Sequence, residues 1–351
     1  MSAPGLFSRF RNDADPGLSF QPRRCLRNRF RGSSCELCRR ECPAGALTLV
    51  PGAVVIDQAK CMGCLACAAV CPAHALELRD QRLADAMSRL LQQPGLVVAC
   101  CCEKSVRTGE EIILPCLGAL SVEHLAAFAT LGRGLHLHLE HCHDCRAAAV
   151  PEILERRLAE LHTRLGPAGE GLAIRLLRRA APSPCGGTGE DDVSAETASP
   201  SAGSRRAFFR AFREVSRHAV QESWSILSED QAAERSTSRE KEAIPRSQVL
   251  RQVLDRVGAG QQRALFPLFH NLTVADTCNL CGACAGMCPT GALQVDRQEE
   301  GTKTLRFHWA ACSGCGLCQE FCRPRSIQLS PGCPVADLAM DTITLVQREP
   351  A

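Results

Sequence analysis

The chain has 351 residues, 24 of them Cys, with 45% hydrophobic residues and a formal net charge of +3. A chain of this length buries a core without covalent staples, so this many cysteines point to a metal scaffold rather than a disulfide one. The small net charge gives no ground for nucleic-acid binding. The start shows no apolar signal-type stretch and no apolar run is long enough to span a bilayer, so the expectation is a cytoplasmic protein with no transmembrane segment, in a compartment where thiols stay reduced.

Residues 1–24 read as a basic N-terminal arm, and residues 1–40 carry nine Arg. Two readings stand side by side. The arm is a solvated segment, or its guanidinium groups sit near a redox centre, where they favour the reduced form or dock an acidic redox partner. It lacks the interleaved aromatics that base stacking needs.

Four cysteine motifs follow, in two pairs. The first is degenerate: Cys35, Cys38 and Cys42-Pro43. The other three keep C-x-x-C-x-x-C-x-x-x-C: Cys61, Cys64, Cys67 and Cys71; Cys278, Cys281, Cys284 and Cys288; and Cys312, Cys315, Cys318 and Cys322. Three thiolates at three-residue steps can wrap three corners of one cubane cluster, while the fourth points to a neighbouring cluster. Each motif leads into a short alternating stretch that predicts a half-buried strand: 46–49, 75–78, 292–295 and 326–329. Within each pair lies a hairpin signal, Pro51-Gly52 or Glu300-Gly301.

Each pair resembles a bacterial two-cluster ferredoxin, over residues 25 to 80 and 270 to 333. The resemblance implies an N-terminal module (25–82) and a C-terminal module (266–335), each with two [4Fe-4S] clusters, four in all. In the C-terminal module it implies Cys278, Cys281 and Cys284 with Cys322, and Cys312, Cys315 and Cys318 with Cys288. In the N-terminal module the second set is Cys61, Cys64 and Cys67 with Cys42. The first set lacks a ligand, because Gly32 stands where a Cys is expected. Cys25, beyond the basic loop, can replace it and join Cys35, Cys38 and Cys71; the alternative is a three-ligand cluster, [3Fe-4S] or open at one iron. Cys322 is followed by Arg323-Pro324, so the usual Pro is displaced by one, and Cys333 reads as a turn residue.

Residues 83–182 alternate helix and strand and predict a small parallel α/β domain. A helix is marked by Leu83, Ala86, Met87, Leu90 and Leu91, and strand 96–99 runs into Cys100, Cys101 and Cys102. Strand 112–114 ends at Pro115-Cys116, and the next helix opens at Ser121 and stops at Gly132. Strand 135–139 ends at His141-Cys142-His143-Asp144-Cys145. A helix marked by Val150, Ile153, Leu154, Leu158, Leu161 and Leu165, then strand 172–177, complete the domain. Parallel strands bring their carboxyl ends to one edge, so Cys101, Cys102, Cys116, Cys142 and Cys145 are candidate metal ligands there. They suit an additional iron-sulfur cluster, Zn or a redox-active dithiol. Pro115-Cys116-Leu117-Gly118 with the His141 to Cys145 stretch resembles the delta-type iron-sulfur subunit of methyl-viologen-reducing hydrogenases. His136 and His138 read as solvent-facing residues of an edge strand, and His141 and His143 add little as ligands.

Residues 183–204 have the composition of a disordered linker, which contains Cys185. Residues 205–265 read as a helical connector. Ser204-Arg205-Arg206 looks like a twin-arginine signal but is internal, and Phe208, Phe209, Phe212, Val215 and Ala219 fit one helix face. Val249, Leu250, Val253, Leu254 and Val257 mark a second helix, and 336–351 is a tail.

The expected fold class is α+β multidomain, with two ferredoxin-like modules flanking a parallel α/β domain and a disordered and helical linker. The function this favours is a 4Fe-4S protein relaying electrons between a reductase donor and a larger oxidoreductase acceptor, with no catalytic residues of its own. Two rivals are a thiol/disulfide reductase acting at the central cysteines and an adaptor holding structural Zn there. No nucleotide fingerprint follows a strand, which favours the carrier.

Overall fold

The computed structural model describes residues 18–78, 82–95, 97–105, 111–178, 241, 245–297, 301–334 and 341–348. The expected linker with Cys185, and the helix expected at Phe208 to Ala219, lie outside these residues.

The N-terminal module contains β1 (Leu18–Phe20), β2 (Leu47–Val50), β3 (Ala53–Ile56) and β4 (Leu76–Leu78). β2 turns through Pro51-Gly52 into β3, and Gly52 takes the left-handed φ of +79° that the tight turn requires. β1 closes antiparallel on β4, with Leu18 opposite Leu78 and Phe20 opposite Leu76. This corrects the expected boundary: the arm does not run to residue 24, because Leu18 and Phe20 bring apolar side chains to a β4 edge that would otherwise stay unpaired. Arg24 adds an ion pair to Glu77 of β4.

In the middle, β5 (Val97–Cys102), β6 (Ile112–Leu114), β7 (Gly134–His138) and β8 (Ile174–Leu177) form one parallel sheet in the order β6-β5-β7-β8. Helices Arg82–Gln92, Val122–Leu131 and Val150–Leu165 supply the connecting layers. Ser121 caps the second of these with a reciprocal pair of bonds: its Oγ accepts from His124 N, and His124 Nδ1 accepts from Ser121 N. Two expectations change here. β5 extends through Cys102, so all three cysteines lie within the strand. β7 is an interior strand, so His136 and His138 are not on a sheet edge; His138 Nδ1 lies 3.0 Å from Glu140 Oε1.

Helix Pro245–Leu254 lies where Val249 to Leu254 predict one, and it buries Val249, Leu250, Val253 and Leu254. The C-terminal module then repeats the N-terminal ribbons. β9 (His270–Val274) pairs with β12 (Ile327–Pro331), and β10 (Leu293–Arg297) pairs with β11 (Lys303–His308). A further strand, β13 (Thr342–Arg348), joins the free edge of β11. Part of the expected tail is therefore sheet, with Ile343 and Val346 packed against the core.

The two modules are not beads flanking a separate domain. One continuous core runs from Cys64 and Ala66 through Phe128, Leu135 and Leu154 to Val253, Trp309 and Phe307. Polar ties reinforce it. Arg164 Nη2 donates to Leu268 O at 3.0 Å, and the Arg251 guanidinium lies 5.8 Å from the centre of the Trp309 ring.

Candidate metal centres

Each cysteine motif builds the same short device. A five-residue helix carries the third Cys at its second position and ends on the fourth: Leu37–Glu41 then Cys42, Ala66–Val70 then Cys71, Ala283–Met287 then Cys288, and Leu317–Phe321 then Cys322. Three residues after that last Cys the backbone is left-handed in all four repeats, at Gly45, His74, Gly291 and Arg325. Pro324, although displaced by one, leaves this turn in register. In the N-terminal module the turn aims backbone N–H groups at sulfur: Ala46 N donates to Cys42 Sγ at 3.3 Å, and Ala75 N to Cys71 Sγ at 3.2 Å, whereas the equivalent Ala292 N donates to Thr290 Oγ1.

In the three intact motifs a second left-handed pair brackets the second Cys: Gly63 and Leu65, Leu280 and Gly282, Gly314 and Gly316. Such alternation turns successive N–H groups into one concavity, the nest that suits an anionic cluster. Leu65 and Leu280 hold this conformation without being glycine, at roughly 1 kcal/mol each. The degenerate motif lacks the pair, and Glu36 before its helix has φ −143°.

Within each expected quartet buried thiols raise one another's pKa, and Cys67 is also raised by Cys38 of the neighbouring quartet. Cys38 is pushed up to about 12 by burial and by Cys71, Cys35 and Cys25. Burial raises Cys25 and Cys35 as well, with Cys71 adding to both. Cys25 thus lies within electrostatic reach of Cys35, Cys38 and Cys71, and helix Leu26–Arg29 begins immediately after it. Cys64 and Cys67 are raised by burial, and both feel Cys42 and Cys61. Cys284 is pushed up to about 11 by burial, Cys278, Cys281 and Cys322. Cys312 rises to about 12 through burial, Cys315 and Cys288, and Cys318 rises through burial and those same three thiols.

Two of these quartets face enclosed, largely apolar cavities. One joins Cys42, Cys61, Cys64 and Cys67 with Leu18, Leu47, Ile56 and Leu65. Another joins Cys288, Cys312, Cys315 and Cys318 with Leu272, Leu293 and Phe307. Among the described residues no three His, Cys, Asp or Glu side chains stand where they could hold one metal ion. A single tetrahedral Zn needs sulfurs about 3.8 Å apart, from its Zn–S bond length, whereas a cubane carries one thiolate on each of four separate irons and spreads them wider. Largely half-buried thiols at motif spacing, N–H donors aimed at sulfur and apolar walls fit the cluster.

Among the central cysteines, Cys102 ends β5, and Cys116, Cys142 and Cys145 follow β6 and β7. The order β6-β5-β7-β8 reverses direction at the β5/β7 boundary, and beyond the carboxyl ends of those strands lies the crevice where open parallel sheets bind ligands. Cys116 is pushed up to about 12 by burial, with Cys64, Cys142 and Cys102 adding to it. Cys142 rises to about 11 through burial, Cys102, Cys145 and Glu140. Strand β5 supplies Cys102 to this group. Cys101, also expected there, pairs opposite Ile113, and strand alternation puts it on the face opposite Cys102; its charge bears on the adjacent Cys100.

Gly118, and Arg157, which local patterns do not single out, seat this crevice on the N-terminal module. Gly118 lies against the Cys64 backbone. Arg157 is buried, and its guanidinium donates to the carbonyls of Gly118 (2.8 Å), Leu120 (2.6 Å) and Ala66 (3.2 Å) and to Glu41 Oε1 (2.8 Å). Burial lowers its pKa, and Glu41 opposes that shift.

These features define a 4Fe-4S electron-transfer protein of mixed α/β structure, and the family comparisons agree. The 4Fe-4S dicluster domain family matches residues 277–325, and the 4Fe-4S binding domain family matches residues 54–77. The chain is also similar to one subunit of an ion-translocating oxidoreductase complex from Methanosarcina acetivorans, with 51% identity over 45 residues. That stretch is 13% of this chain and spans only 17% of the relative's length. No solved structure matches the chain. Among the described residues no helix is long and apolar enough to cross a membrane.

Proposed function

We propose that the chain is a multi-cluster relay, taking electrons from a reductase and passing them to a larger oxidoreductase complex. What supports this reading is the fourfold repeat, within one compact unit, of a cysteine-bearing five-residue helix followed by a left-handed turn. The proposed ligands are Cys25, Cys35, Cys38 and Cys71; Cys42, Cys61, Cys64 and Cys67; Cys278, Cys281, Cys284 and Cys322; and Cys288, Cys312, Cys315 and Cys318. A bound cubane supplies a one-electron couple. The protein's own groups hold it by thiolate, exclude water with Leu18, Ile56, Leu293 and Phe307, and tune it through N–H donors such as Ala46 and Ala75. The likeness to a component of a redox complex supports the expectation of redox partners.

The central group, Cys102, Cys116, Cys142 and Cys145, extends the relay as a fifth centre. Its place beside Cys64 favours this over an isolated structural ion. Iron and labile sulfide analysis of anaerobically prepared protein tests the reading. Four cubanes give about 16 Fe, with any excess lost in Cys116→Ala. Cys281→Ala with Cys315→Ala should remove about half the iron, and a reconstituted chain holding fewer than about 8 Fe would refute the four-cluster assignment.

A further inference from the structure

Two ferredoxin-like pairs in one chain can work separately or as one path. The contacts between them decide which. Ser34 donates from both its backbone N and its Oγ to Glu320 Oε1, each at 2.7 Å, across 286 residues of sequence. Phe30 meets Phe321 edge to face with ring centres 5.0 Å apart. Around these lies a small separate core, Leu26 and Ala73 from one module with Met287 and Leu317 from the other, and Cys35 and Cys315 both pack on it. Cys35, Cys315 and Cys322 also line one cleft of about 800 Å³ between the modules.

Ser34 and Phe30 flank the segment that leads into Cys35, and Glu320 and Phe321 lie on the one-turn helix between Cys318 and Cys322. Each tie therefore fixes one cysteine loop directly against the other.

We infer that this seam is the electron crossing between the two modules, with the Cys35 and Cys315 sites as the exchanging pair and Ser34, Glu320, Phe30 and Phe321 as positioning residues. The step moves one electron from the reduced site to the oxidised one, with no bond made or broken and no proton carried. It joins the N-terminal and C-terminal pairs into one wire, whose far end at the Cys64 site adjoins the central crevice. The inference rests on the four-cluster reading, which iron analysis tests independently.

The test is magnetic rather than catalytic. Full-length holoprotein is reduced and its electron paramagnetic resonance spectrum is compared with the sum of two variants, Cys281→Ala/Cys315→Ala, which keeps the N-terminal pair, and Cys38→Ala/Cys64→Ala, which keeps the C-terminal pair. The expected result is non-additivity: extra splitting and faster relaxation in the intact chain. Glu320→Ala and Phe321→Ala, each with unchanged iron content, should weaken that extra coupling at least two-fold, with Glu320→Gln intermediate because it keeps an acceptor oxygen. An intact spectrum equal to the sum overturns the inference, and so does extra coupling that the seam variants leave unchanged. If the seam variants lose iron, the additivity comparison among the other three proteins still decides.

Discussion

A Cβ on Gly118 would stand 2.2 Å from the carbonyl oxygen of Cys64, so the loop that carries Cys116 lies directly on the loop of a cluster-binding cysteine. Backbone against backbone leaves no flexible side chain to yield. Gly118→Ala must push the two loops apart, at a cost of about 1–3 kcal/mol typical of overpacking. Thermal unfolding should shift downward, and signals of the Cys64 site should change while those of the C-terminal pair stay as they are. Unchanged spectra with an unchanged midpoint would show that the two loops are not in contact.

Arg157 joins the same two regions by charge. Its side chain is 5% exposed and that of Glu41 is 17% exposed, so removing the guanidinium takes a donor from three carbonyls and leaves Glu41 paired with the exposed Arg156 alone. Arg157→Met should destabilise the protein by about 3 kcal/mol, the low end for a broken buried pair, as read from chemical denaturation. Arg157→Lys should recover less than half of that, because an ammonium cannot reproduce the planar fork that reaches four acceptors. Arg157 also lies within electrostatic reach of Cys64. Losing its positive charge disfavours the more negative reduced form, so the midpoint potential of that site should fall in Arg157→Met and hold in Arg157→Lys.

The cysteine spacing makes the repeated units legible, because each motif is closed within about eleven residues and its turn is local. Helix Val122–Leu131 is equally legible from Ser121 and Gly132, which act on their own neighbours. What escapes a local reading depends on partners far along the chain. Leu18 to Phe20 looks like part of a basic arm until β4 arrives to pair with it, and Thr342 to Arg348 looks like a tail until β11 offers an edge. Ser34 and Glu320 carry no local mark at all. Grouping Cys101 with Cys102 treats sequence neighbours as equivalent, yet in a strand they face opposite ways.

Cys25 is the proposed fourth ligand of its quartet, from outside the motif and across the loop that ends at Ser34. If it ligates, Cys25→Ser should convert a [4Fe-4S] signal into a [3Fe-4S] or altered open-site signal, with one quarter of one cluster's iron at stake and the other sites intact. The Arg27 guanidinium, which donates to Cys35 O at 3.4 Å, would still hold the loop in place, so the change should be spectroscopic rather than a loss of fold. An unaltered spectrum would leave Cys25 a bystander.

The quartets also set opposite pH responses for the cluster-free and cluster-loaded protein. Without clusters, burial and mutual repulsion hold Cys38 and Cys312 at about 12 and Cys284 and Cys315 at about 11, above the ordinary value of 9.0. The folded apo-protein therefore keeps its thiol protons more tightly than the unfolded chain does. Its stability is fully present below pH of about 9 and is lost as pH rises toward the folded-state values. With clusters the thiols must be thiolates, so assembly releases protons and acid competes for the same sulfurs. Iron should be retained near neutrality and released progressively as pH falls. Unfolding midpoints of apo-protein between about pH 7 and 10, and iron release from holoprotein between about pH 5 and 8, check the two signs separately. An apo-protein that gains stability above about pH 9 would show that these thiols are not crowded together as the structure places them.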